Sequence, residues 1–135
     1  MPITWEIRKL PTGHEYVYIL TSGLATGEEA FALRKVVGAN APHEGKPIIS
    51  FIVPGASFSP EARRNLGTIG EGSTRKTTPK TAIVVSNTAV RVTLGFVLRV
   101  SRSTFVRLVG TEAEALSWLE NEVKHLPLDF YKSDT

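Results

Sequence analysis

Lys80-Thr81-Ala82-Ile83-Val84-Val85-Ser86-Asn87 opens on a cation, runs through an unbroken aliphatic stretch and closes on two small polar residues. An aliphatic, β-branched run without period-two alternation is the pattern of a strand covered on both faces, as in a parallel sheet. Ile48-Ile49-Ser50-Phe51-Ile52-Val53 repeats the pattern upstream. Both runs are predicted as central strands, and the rest of the chain is placed around them.

Downstream, Thr88 is a cap candidate for a helix in which Val90, Leu94, Val97 and Ser101 share a face. Thr104 to Val109 is the last strand. Thr111-Glu112-Ala113-Glu114 then carries the Thr-x-x-Glu capping box, in front of a buried stripe of Ala115, Leu116, Leu119 and Val123. Upstream, Ile3, Trp5 and Ile7 alternate with Thr4, Glu6 and Arg8, so Ile3 to Leu10 reads as a half-buried strand. Pro11-Thr12-Gly13-His14 is turn chemistry, and Glu15 to Thr21 completes a β-hairpin. Thr26 and Glu29 form another capping box, for a helix to about Ala39 with Ala30, Leu33 and Val37 on one side. After Pro54-Gly55-Ala56-Ser57-Phe58, Ser59 is an N-cap candidate and Pro60 fits the first helical position. Gly67 stops that short helix, and residues 67–80, rich in glycine and threonine, read as a long loop. The order ββαβαβαβα defines an α/β fold: a mixed β-sheet opened by a hairpin, with four helices, right-handed crossovers and one core of about ten large apolar side chains. Residues 1–125 form a single domain in this reading, and 126–135 a short C-terminal tail in which Phe130 and Tyr131 fold back.

The composition sets limits. The chain has 135 residues, 41% apolar and 21% charged, enough for one core and too apolar for disorder. It has no cysteine, which excludes disulfides, thiolate metal sites and cysteine nucleophiles. Met1-Pro2-Ile3-Thr4-Trp5-Glu6 lacks the charged start and apolar run of a signal peptide, and no stretch is long and apolar enough to span a bilayer, so a cytoplasmic location is expected. Charge is uneven. Residues 59–107 carry nine cations (Arg63, Arg64, Arg75, Lys76, Lys80, Arg91, Arg99, Arg102 and Arg107) against Glu61 and Glu71, whereas residues 108–135 are acidic. The basic middle can meet an anionic partner or be neutralised by the acidic last helix. Nucleic acid is disfavoured, because aromatic residues are not interleaved with a dense basic stripe.

Catalytic and cofactor motifs are missing. The only aspartates, Asp129 and Asp134, lie in the last seven residues, so the strand ends at Val53 and Ser86 have none of the acidic groups a receiver domain needs. Gly67, Gly70 and Gly72 follow a helix and precede a strand, the wrong place for a dinucleotide fingerprint, and no Gly-Lys-Ser/Thr of a P-loop occurs. His14, His43 and His125 have no metal-ligand spacing and are expected at the surface. Glu28, Glu29, Glu112 and Glu114 occupy first helical turns, where the macrodipole accounts for them. No enzyme activity and no cofactor or metal are expected.

Two segments carry a family resemblance. Lys80 to Asn87, together with the closing Glu112-Ala113-Glu114-Ala115-Leu116-Ser117-Trp118-Leu119, resembles the SpoIIAA-like branch of the STAS superfamily over residues 3 to 122. The resemblance implies a STAS-like mixed sheet and a non-catalytic regulatory module of the anti-sigma-factor-antagonist type. Such a module docks on a protein partner, a kinase or regulatory protein, and is switched by phosphorylation of a serine at the start of the second helix. Here that position falls at Ser57-Phe58-Ser59-Pro60, which makes Ser57 and Ser59 the candidate phosphorylation sites. The partner-binding set would be Ser57, Phe58, Ser59, Arg63, Arg64, Arg75 and Lys76. The family switch usually reads Asp-Ser-Ser-Gly, whereas this chain has Ala56-Ser57-Phe58-Ser59, without the Asp or the Gly. Some SpoIIAA-like chains are also similar to CRAL-TRIO lipid-transfer folds, so the alternative is a small-molecule or lipid binder with an apolar cavity between helix and sheet. The hairpin edge strand has no proline in its middle and is free to pair across a two-fold axis as a homodimer.

Overall fold

The computed structural model describes residues 3–37, 41–43, 45–62, 80–85 and 106–128. In chain order these form β1 (Ile3–Lys9), β2 (Glu15–Thr21), β3 (Leu24–Ala25), α1 (Gly27–Val37), β4 (Ile48–Ile52), β5 (Ser57–Phe58), β6 (Thr81–Val85), β7 (Val106–Val109) and α2 (Glu112–Val123). Residues 60–62 begin a further helix. The expected helix over 88–101 and the loop over 67–80, apart from Lys80, lie outside the described residues, as does the Phe130–Tyr131 pair.

All five expected strands are present. They form one sheet in the order β1-β2-β4-β6-β7, with β1 and β2 antiparallel and every other pair parallel. The two aliphatic runs are the adjacent central strands β4 and β6, in register from Ile48 opposite Thr81 to Ile52 opposite Val85. Leu24–Ala25 and Ser57–Phe58 add a small parallel ladder, β3 with β5, that the residue pattern does not announce.

The core is divided. Leu10, Tyr16, Ile49, Ala82, Val84 and Val109 pack with Ala115, Leu119 and Val123 of α2. Ile3, Val17, Ile19 and Ile48 pack with Ala25 and with Leu33 and Val37 of α1. Tyr16 and Val17, like Ile48 and Ile49, are chain neighbours assigned to different clusters. Side chains alternate across a strand, so the clusters lie on opposite faces of the sheet. A single core was expected; a sheet covered by α1 on one side and α2 on the other requires two. Fully burying a side chain such as Leu119 or Val84 stabilises the fold by about 1.5–3 kcal/mol.

Edges and ends follow local chemistry. β1 is one of the sheet's two edge strands among the described residues, with β7 the other, and its expected alternation is only partly realised: Ile3 is buried, but Trp5 is 43% exposed. At α2 the capping box forms as expected, with the Thr111 hydroxyl accepting the Glu114 N–H at 3.2 Å. The Lys80 ammonium, just before β6, lies 3.8 Å from the Glu122 carboxylate on α2. Ala82 and Val84 share a core cluster with Ala115 and Leu119, so the two sequence motifs that carry the resemblance pack together.

His14 is a correction. Expected at the surface, it is 2% exposed. Its Nε2 lies 2.8 Å from the Leu126 carbonyl, which can only accept, so the ring proton sits on Nε2. In the neutral ring Nδ1 accepts from the Thr12 hydroxyl at 2.8 Å. The β1–β2 turn is thereby tied to the chain just after α2, and Gly13, at φ +94°, faces Leu128 from the same turn.

Candidate functional site

The segment from β5 into the following helix is built from both ends. Val53 N–H donates to the Thr21 carbonyl at 2.9 Å, and Gly55, at φ +88°, turns the chain in a conformation that suits glycine. The backbone then pairs with β3: Ser57 N–H donates to the Gly23 carbonyl at 2.8 Å and Ser59 N–H to the Ala25 carbonyl at 2.9 Å. This ladder fixes both serines.

Their side chains do different things. The Ser59 hydroxyl accepts the Ala62 N–H at 3.1 Å, the geometry of a helix N-cap. Ser57 is exposed, and its register partner on β3 is Leu24, itself 54% exposed. Phe58, between the serines, points the other way and packs on the Ile3–Val17–Leu33 cluster, so it plugs the core. Strand alternation sorts these roles: an exposed serine, then a partly buried phenylalanine, then a cap. Arg63, Arg64, Arg75 and Lys76 lie outside the described residues.

The platform rests on α1 through a close approach. A Cβ on Gly27 would lie 2.5 Å from Glu61 Cβ, so the first residue of α1 must be glycine for the next helix to start where it does. Thr26 Oγ1 donates to Glu29 Oε1 at 3.0 Å in the same corner. Ala62 is completely buried there.

Two other features were not anticipated. Lys46 is only 8% exposed; its ammonium donates to Glu15 Oε1 at 3.1 Å and to His43 Nδ1 at 3.0 Å. Burial first, and then the Lys46 charge, hold the His43 imidazole below its ordinary titration range. Position in the sequence gives little signal of this, because Glu15, 31 residues away on β2, completes the cluster. Nor was the open groove of about 570 Å3 beside β7 and α2 foreseen, lined by Arg107, Val109, Glu114, Ser117, Trp118 and Asn121 among others. Among the described residues no group of three or more His, Cys, Asp or Glu side chains could hold a metal ion, and no helix is long and apolar enough to cross a membrane.

An antiparallel hairpin continued by parallel strands, with helices on both faces, is the SpoIIAA-like fold, and the comparison of structures agrees. The chain is similar to an uncharacterized protein of the DUF3478 family with a SpoIIAA-like fold from Shewanella loihica PV-4, with a TM-score of 0.60 and 16% sequence identity. The match covers 87% of this chain and 93% of that one, so the likeness extends through nearly the whole fold. No protein-family model and no curated protein sequence matches the chain.

Proposed function

We propose that this chain is a non-catalytic regulatory module acting in the cytoplasm, which docks on a kinase or regulatory protein through the surface around Ser57 and is switched by phosphorylation there. The observation that carries the reading is the contrast between the serines: Ser57 is exposed on a hydrogen-bonded ladder beside exposed Leu24, while the Ser59 hydroxyl is engaged as a cap. A phosphate on Ser57 would add roughly −1.5 to −2 charge to a rigid, partly apolar surface and change its match to a partner without breaking a cap. Arg63, Arg64, Arg75 and Lys76 extend the proposed contact set by their place in the sequence alone. Absence of a catalytic motif in the sequence supports a binding role. The reading is tested by intact mass and phosphopeptide mapping of protein from its native host. A phosphate on Ser57 is the expected result; modification confined to other residues opposes it.

A small-molecule binder is the second reading, favoured by the groove beside β7 and α2. It is an open groove of about 570 Å3, so a ligand there would stay partly exposed to solvent. Arg107, Glu114, Ser117 and Asn121 give it a polar lining, which suits a small polar ligand better than an acyl chain. A co-purifying ligand in native mass spectra supports this reading. Self-association through β1, the edge strand that exposes Trp5, accompanies either function and is read by sedimentation equilibrium.

A further inference from the structure

The segment joining α1 to β4 holds a charged cluster that the docking surface does not use. Lys46 Nζ sits between Glu15 Oε1, 3.1 Å away on β2, and His43 Nδ1, 3.0 Å away in its own segment. The ammonium has only donors, so Nδ1 accepts and the His43 ring is neutral in this arrangement. The His43 backbone N–H donates to the Val36 carbonyl in the last turn of α1 at 3.0 Å. Across from it stands Trp5 of β1, ring centroids 5.7 Å apart and planes inclined by 57°. His43 is thus surrounded by Lys46, Glu15, the Val36 carbonyl and the Trp5 ring; Glu44, its neighbour in sequence, lies outside the described residues.

We propose that His43, Lys46 and Glu15 form an acid-sensitive latch, closed while His43 is neutral and opened when it takes up a proton. Protonation of Nδ1 turns the acceptor into a donor and sets two cations 3.0 Å apart in a site where Lys46 is nearly excluded from water. Lys46 keeps its carboxylate partner Glu15, so the imidazolium is the group that leaves. It moves away from Trp5 and loosens the segment that ends α1. Burial and the nearby ammonium both resist the proton, and the Glu15 charge only partly offsets them. The unfolded chain therefore binds a proton near the ordinary histidine value of 6.5 that the closed latch refuses. Stability accordingly falls as pH drops from about 6.5 through the lower folded value.

The test is an NMR titration of the three histidine rings in the full chain, with Trp5 fluorescence followed in parallel in Trp118→Phe. His43 is expected to titrate below 6.5, with a Trp5 change at the same midpoint that disappears in His43→Gln. Lys46→Met should move the His43 midpoint upward by removing the opposing charge. A wild-type His43 midpoint at or above 6.5, or a Trp5 transition that persists in His43→Gln, overturns the proposal. The ring titration needs no variant, so a poorly folding substitution leaves the outcome decided.

Discussion

His14 Nε2 and the Leu126 carbonyl oxygen lie 2.8 Å apart, 112 positions apart in sequence, and join the β1–β2 turn to the chain just after α2. A buried donor–acceptor pair contributes little net when made and much when half of it is removed. His14→Ala leaves the Leu126 carbonyl and the Thr12 hydroxyl without their ring partner. A loss of about 1–3 kcal/mol is expected in urea denaturation. Thr12→Val, which removes only the hydroxyl at Nδ1, should cost about 1 kcal/mol. Equal stability of His14→Ala and wild type would contradict the tie.

Gly27 makes a prediction against helix propensity. Alanine is the better helix former by roughly 1 kcal/mol in a helix interior. Yet its Cβ would meet Glu61 Cβ at 2.5 Å, closer than carbon atoms tolerate. Gly27→Ala is expected to destabilise by about 1–3 kcal/mol, the usual range for overpacking. Adding Glu61→Gly removes the opposing atom and should recover part of the loss relative to the sum of the single changes. A double-variant cycle by thermal or chemical melting reads that coupling.

The Glu15–Lys46 pair is asymmetric. Glu15 is 38% exposed at its side chain and Lys46 only 9%, so water can replace the first partner's environment and not the second's. Glu15→Gln leaves an ammonium in a nearly dry site and is expected to cost about 1–3 kcal/mol, below the range for fully buried pairs. Lys46→Met places an apolar chain of similar length in the same space and should cost less. Denaturation midpoints of the two variants at pH 8, where His43 is neutral, give the comparison; the reverse order would contradict the burial of Lys46.

Ser57 and Ser59 are expected to separate stability from binding. Ser59→Ala removes the N-cap and should cost about 1 kcal/mol. Ser57→Ala, at an exposed position, should change stability by no more than about 0.5 kcal/mol. If both substitutions weaken the fold equally, Ser57 is not the free surface hydroxyl that the docking proposal needs.

Much of the fold is legible because its signals are local. The β4 and β6 runs, the hairpin and the α2 capping box each depend on residues within one element, and each appears within two residues of its expected bounds. What was missed depends on distant chain. The β3–β5 ladder has only two residues per strand, too few for a periodic pattern, and exists because Gly55 returns Ser57 alongside Leu24. His14 reads as a turn histidine until Leu126 arrives, and nothing local to Lys46 shows that Glu15 and His43 close on it. At the candidate site, the sequence selects the Ser57–Ser59 segment, but only the register shows which hydroxyl is a cap and which side chain enters the core.

The regulatory reading is tested most directly by affinity capture from native-host lysate on wild-type and Ser57→Glu chains in parallel. The captured protein is then purified and its Kd measured against both. Expected is a partner held by wild type and weakened at least about tenfold, or ~1.4 kcal/mol, by the added charge. Equal affinity for the two chains, or a wild-type chain that retains a small molecule and no protein, would contradict docking at Ser57.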